Sequence, residues 1–67
     1  MKVSIRDIKK AISWVEANTN SEMVLVSLEG AKMLIKTSDK YDKIVEIVIY
    51  DESTSMLPTI TSTDKLR

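Results

Sequence analysis

The sequence predicts a small α+β domain in which one N-terminal amphipathic helix packs on a three-stranded antiparallel meander, in the order αβββ. Two observations predict this fold. Apolar residues near the N-terminus recur at helical spacing, and three later segments are short, apolar and rich in β-branched residues. A helix followed by consecutive strands is typical of the α+β class, with the helix across one face of the sheet.

The helix is predicted to begin after Ser4, because serine is a favoured N-cap residue. Asp7 stands three residues later as a shortened capping-box partner, and Val3 and Ile8 occupy the two positions of a hydrophobic staple. The apolar residues that share one face of the helix are Ile5, Ile8, Ala11, Ile12 and Val15. The spacing of this stripe indicates that the helix packs on the rest of the domain by that face.

Three strands are predicted after residues 18–21, whose Asn, Thr and Ser residues tolerate turn conformations and should end the helix. Residues 22–29 make the first strand, and we expect both of its faces to be mostly buried. Gly30, the only glycine of the chain, indicates a tight hairpin turn with positive φ. Residues 32–36 form the returning strand, and residues 43–50, in which side chains alternate between two faces, form the third.

A change in composition divides the predicted domain, residues 1–52, from a tail at residues 53–67. Seven of the eleven residues from 53 to 63 are Ser or Thr, which makes regular structure less favourable there. Pro58 disfavours a central strand, although residues 59–61 suit a short edge strand. We therefore expect the tail to be either flexible or docked on the sheet.

Composition excludes several classes of protein. The chain has no cysteine and no histidine, so disulfides, common zinc sites and Ser-His or Cys-His catalysis are all excluded. Ten basic and ten acidic side chains cancel, which removes any global attraction to nucleic acid or to a membrane surface. Apolar runs are too short to span a bilayer, and no secretory signal is present, so we expect a cytoplasmic protein with no membrane contact.

Carboxylates are the remaining candidates for acid and base chemistry or for binding a hard cation. Asp39, Asp42, Asp51 and Glu52 stand at predicted strand ends, where a cleft would open. The ordinary alternative is that they are solvated loop acids, because raising a carboxyl pKa requires a pocket that so small a domain can hardly enclose. We therefore predict no enzyme, no catalytic residue, no cofactor and no metal.

The predicted sheet has more apolar surface than one helix can cover. The first and third strands carry apolar residues on both faces, so one face would remain as a large exposed patch unless something shields it. The tail, a second copy of the chain or a different protein would serve, and we favour a homodimer because symmetric dimers are the commonest oligomers. The predicted interface residues are Trp14, Ile44, Val48, Tyr50, Met56 and Leu57.

These features favour a small non-enzymatic protein-binding module, acting as an accessory protein, inhibitor or assembly subunit. It would bind through the second sheet face or through an exposed strand edge. Small accessory proteins of this size are frequent in phages and mobile elements. The alternative is a nucleic-acid-binding protein that uses the basic stripe of the helix, although such a stripe is ordinarily a solvated helix face. The residues of this stripe are Lys2, Arg6, Lys9 and Lys10.

Overall fold

One helix and a four-stranded antiparallel sheet make up the fold of the computed structural model, which describes residues 1–38 and 43–64. The elements in chain order are α1 (Ile5–Asn18), β1 (Leu25–Glu29), β2 (Lys32–Ser38), β3 (Lys43–Tyr50), a 3-10 helix (Glu52–Thr54) and β4 (Thr59–Asp64). The strands lie in the order β1-β2-β3-β4, each antiparallel to its neighbour. The predicted α+β class, with one helix on an antiparallel meander, is confirmed, and the Ser/Thr-rich segment adds the fourth strand as an edge.

The predicted start of α1 is confirmed in atomic detail. Ser4 is the N-cap residue, and its hydroxyl accepts a hydrogen bond of 3.4 Å from the backbone N–H of Asp7. Val3 and Ile8, the two staple residues, both pack against the buried core. Local sequence is therefore sufficient to determine how the chain enters this helix.

The other end of α1 lies at Asn18, where the polar segment begins. Thr19 ends the helix because both its backbone N–H and its hydroxyl donate to the carbonyl of Val15, each at 2.9 Å. The Asn18 amide donates to the carbonyl of Trp14, also at 2.9 Å. Side chains thus satisfy carbonyl groups that would otherwise have no partner at the helix end.

The core lies between α1 and the two central strands. Alternate residues of β3 point toward the helix, and three of them, Val45, Ile47 and Ile49, have no solvent exposure at all. The other members of the buried cluster are Ala11, Val15 and Ile35. The predicted alternation of the third strand is therefore correct, and its helix-side face supplies the centre of the core.

The first strand differs from its prediction. It begins at Leu25 rather than at residue 22, and all five of its residues are exposed, so the expectation of a strand buried on both faces was wrong. Two features explain the difference. Among the described strands β1 is at the edge and pairs only with β2, and α1 packs chiefly on β3, which leaves β1 beyond the area that the helix covers.

Two connections set the order of the strands. Gly30 has a φ of +58° in the turn that joins β1 to β2, as predicted for this position. The hairpin register pairs Glu29 with Lys32, and β2 runs two residues beyond its predicted end, to Ser38. Between β3 and β4, the 3-10 helix turns the chain back so that β4 pairs antiparallel to β3.

Candidate docking surface on the edge strand

Exposed apolar side chains are concentrated on β1 and on the residue that leads into it. The exposed fractions are 83% for Met23, 68% for Leu25, 51% for Val26 and 65% for Leu28, and we call these four residues the β1 surface. Single exposed apolar residues are normal in soluble proteins, but four of them within six positions are a local concentration of apolar surface.

The β1 surface includes both faces of the sheet. Val26 pairs with Ile35 of the core, and because directly opposite residues share a face, Val26 lies on the helix side. Leu28 is two residues further along and lies on the same side, whereas Leu25 lies on the opposite, open face. A strand added beside β1 would therefore find apolar partners on either face.

The backbone of β1 also has a free edge. β1 pairs with β2 on one side, and among residues 1–38 and 43–64 no strand pairs with its other side. Edge strands in stable monomers are usually protected by Lys, Pro or a bulge, and none of the five residues of β1 is Lys or Pro. The strand therefore combines unpaired N–H and C=O groups with apolar side chains.

Hydrogen bonds hold the segment before β1 in place. The hydroxyls of Ser21 and Thr37 lie in hydrogen-bond contact with each other, and the carbonyl of Met23 lies within hydrogen-bond distance of both, at 3.1 Å and 2.8 Å. Because each hydroxyl has one proton, two of these three hydrogen bonds form at a time. These contacts join the loop after α1 to β2. They fix the entry of β1 even though its side chains contribute little to the core.

A cavity of about 370 Å³ lies beside this segment, between the C-terminal half of α1 and the chain that leads into β1. Its apolar lining comes from Ile12 and Val15 of the helix and from Met23 and Val24 of the loop. The apolar area available near β1 therefore extends beyond the strand itself to the flank of the helix.

The open face of the sheet carries three of the predicted interface residues. Ile44 is exposed, whereas Val48 and Tyr50 are half-buried. Leu34, which is paired with Val48, is buried on this same face, and an ion pair of 3.7 Å between Lys36 and Glu46 lies next to it. Leu34 was not among the predicted residues. This face is a mixture of polar and apolar groups rather than an apolar patch.

The other predicted interface residues lie elsewhere. Met56 and Leu57 are exposed in the connection between the 3-10 helix and β4, and half-buried Trp14 packs against the core from α1. The structure therefore places the six predicted residues in three separate regions. The β1 surface was missed, although the apolar sequence of the first strand was the signal that could have identified it.

The basic residues of α1 line an open groove. Arg6, Lys9 and Lys10 border a groove of about 630 Å³ together with Trp14 and Ile5, and none of the described residues that line it is acidic. Lys2 is not part of this lining. Its backbone N–H donates to Asp51 instead, at 2.8 Å.

Of the candidate carboxylates, Asp51 has side-chain hydrogen-bond partners in the structure. Oδ2 of Asp51 accepts hydrogen bonds from the hydroxyl and the backbone N–H of Ser53, and Oδ1 accepts from the N–H of Lys2. These hydrogen bonds lower the pKa of Asp51 to about 2. The bond from the Ser53 hydroxyl has the largest effect, followed by those from the backbone N–H groups of Lys2 and Ser53. Asp39 and Asp42 lie outside the described residues. Within the described residues no group of three or more acidic side chains could hold a metal ion.

Comparisons with known proteins do not assign this chain to a family. No family model matches the chain, and neither a curated protein nor a solved structure is significantly similar to it. Among the described residues, no helix is both long and apolar enough to cross a membrane.

Proposed function

We propose that this protein is a small, non-enzymatic, cytoplasmic protein-binding module that binds another polypeptide strand at β1. The observation that carries the proposal is that all five residues of β1 are exposed, and that no strand of the described residues pairs with its outer edge. The module would act as an accessory protein, an inhibitor or an assembly subunit. Between the two surfaces predicted from sequence, the strand edge is better supported than the second sheet face, because the exposed apolar area is greater on β1.

Strand addition explains how so small a surface can bind a partner. An incoming strand would form main-chain hydrogen bonds with the unpaired groups of β1, and its side chains would pack against Leu25 on one face and Val26 and Leu28 on the other. Fully burying a leucine or valine side chain contributes about 1.5–3 kcal/mol. Because Ser21 and Thr37 already hold the segment that enters β1, little ordering of the chain should be needed on binding.

Site-specific photocrosslinking in cells tests this proposal. A photoreactive benzoylphenylalanine at Leu25 should form adducts with protein, whereas the same residue at Thr61, an exposed position on the opposite edge strand, should not. Adding Leu28→Lys should remove the adducts at Leu25, because it places a charge within the apolar contact. Equal crosslinking at the two positions would contradict the proposal.

The second candidate function is nucleic-acid binding by the α1 groove. Three cationic side chains line this groove, and none of its described lining residues is acidic, which would favour phosphate contacts. If the candidate is correct, the affinity for oligonucleotides should fall steeply with salt and be lost in the variant Lys9→Glu/Lys10→Glu. Lys32→Gln/Lys36→Gln removes two positive charges from β2 without placing like charges opposite Glu29 and Glu46, and it is the control. Absence of binding at low salt would exclude this candidate.

A further inference from the structure

We infer that the strand bound at β1 belongs to a second copy of this chain, paired antiparallel about a two-fold axis that passes between the two Ser27 residues. The inference rests on the proposed function, and it identifies the partner and the register. The two copies would form one continuous antiparallel sheet that contains the four strands of each copy. Such an isologous interface closes on itself and does not lead to a fibre.

Symmetry restricts the registers available to two copies of β1. Antiparallel pairing of identical edge strands places the two-fold axis perpendicular to the sheet, so both α1 helices lie on the same side. Directly opposite residues share a face, so a helix-side residue can lie opposite only another helix-side residue. The axis must therefore pass between the same residue of each copy, and only registers centred on Val26, Ser27 or Leu28 pair three or more of the five residues of β1.

Centring on Ser27 is the one choice that pairs all five residues of β1. It places Val26 of each copy opposite Leu28 of the other copy, on the helix side, where α1 leaves both side chains exposed. The two Glu29 carboxylates lie at opposite ends of the interface, each opposite a Leu25, so no like charges face each other. In this register β1 pairs apolar residues with each other on the helix side and keeps the two Glu29 charges apart.

Cysteine substitution gives a direct test, because the chain contains no native cysteine. In the proposed register the two Ser27 Cβ atoms are directly opposite, about 4.5–5.5 Å apart, which is near the separation that a disulfide requires. Ser27→Cys should therefore form a covalent dimer under mild oxidation. The two Val26 residues are diagonal neighbours, roughly 7–8 Å apart, so Val26→Cys should not form a covalent dimer. Ser62→Cys makes the same change on the exposed β4 edge and controls for random collision.

Light scattering after size exclusion completes the experiment. The wild-type protein should have twice the mass of the 7.6 kDa chain, and Leu28→Lys should be a folded monomer by circular dichroism. A wild-type monomer at all concentrations, or crosslinking of Ser27→Cys no faster than of Ser62→Cys, would overturn the inference. Preferential crosslinking of Val26→Cys would overturn the register. A wild-type monomer that still crosslinks through Leu25 to a different protein would overturn the inference while supporting the proposed function.

Discussion

The backbone N–H of Lys2 donates a hydrogen bond of 2.8 Å to Oδ1 of Asp51, a residue 49 positions later in the chain. A second hydrogen bond joins the same segments, because the N–H of the neighbouring Glu52 donates to the carbonyl of Lys2 at 2.9 Å. Asp51 also accepts two hydrogen bonds from Ser53 through its other oxygen. One carboxylate therefore joins the N-terminal segment to the connection that leads into β4.

Acid should weaken this link in a defined pH range. The pKa of Asp51 is lowered from an ordinary value of 3.8 to about 2, so the folded state favours the ionised carboxylate. Its contribution to the free energy of unfolding is fully present above pH 3.8 and is lost as the pH falls toward 2. Asp51→Asn should be less stable at neutral pH and should show a flatter pH dependence below pH 3.8. Urea titrations monitored by circular dichroism at several pH values measure both effects.

Glu52→Gln is the control for this prediction, because it removes one negative charge from the adjacent residue while keeping the backbone contact to Lys2. We expect its acid-induced loss of stability to match that of the wild-type protein more closely. If Asp51→Asn retained the full wild-type pH dependence between pH 3.8 and pH 2, the proposed role of the carboxylate would be incorrect.

The hairpin glycine provides a second prediction. Gly30 has a φ of +58°, and an added Cβ would have no heavy atom within 4 Å. Gly30→Ala should therefore be destabilising for conformational reasons alone, by about 1–2 kcal/mol. Gly30→Asn should lose less, because asparagine tolerates the left-handed region better than alanine. Denaturant titration of the three proteins gives the order, and an alanine variant as stable as wild type would contradict the argument.

Those parts of the fold that depend on neighbouring residues could be predicted from the sequence. The N-terminal cap of α1 is a hydrogen bond between Ser4 and Asp7, which are three residues apart in sequence, and Gly30 lies in the turn of a hairpin. The alternation of β3 was predictable as well, because side chains on a strand follow a period of two. Each of these features depends only on residues within a short segment of the chain.

The position of the exposed surface could not be predicted in the same way. The first and third strands have similar apolar sequences, yet every residue of β1 is exposed while Ile47 is completely buried. The difference arises because β3 lies inside the sheet and beneath α1, and both facts depend on tertiary packing. The ion pair of Lys36 with Glu46, which adds polar groups to the open face, likewise depends on the register between β2 and β3.

Matched alanine substitutions should reveal this difference in burial. Ile47→Ala removes a side chain that has no solvent exposure, and we expect it to lower the free energy of unfolding by about 2–5 kcal/mol. Leu28→Ala removes a side chain of similar size from the exposed edge, and its effect on an isolated chain should be within about 0.5 kcal/mol. Urea titrations at a dilution at which the wild-type protein is monomeric make the comparison. Similar losses in the two variants would show that β1 is covered within the single chain.

The hydroxyl of Thr37 provides the last prediction, because it donates a hydrogen bond of 2.8 Å to the carbonyl of Met23 where the chain enters β1. Thr37→Val preserves the shape of the side chain and its preference for strands but removes this bond, at a cost of about 0.5–1.5 kcal/mol. Amide hydrogen exchange should become faster in residues 23–26 and remain unchanged in β3. Thr61→Val, the same change on the exposed face of β4, should leave the exchange of both segments unaltered.

If β1 binds a partner as a preformed edge, Thr37→Val should also weaken that binding, because the variant must order this segment when the partner binds. Unchanged exchange in residues 23–26 would mean that Ser21, the second hydroxyl bonded to Met23, is sufficient to hold the strand.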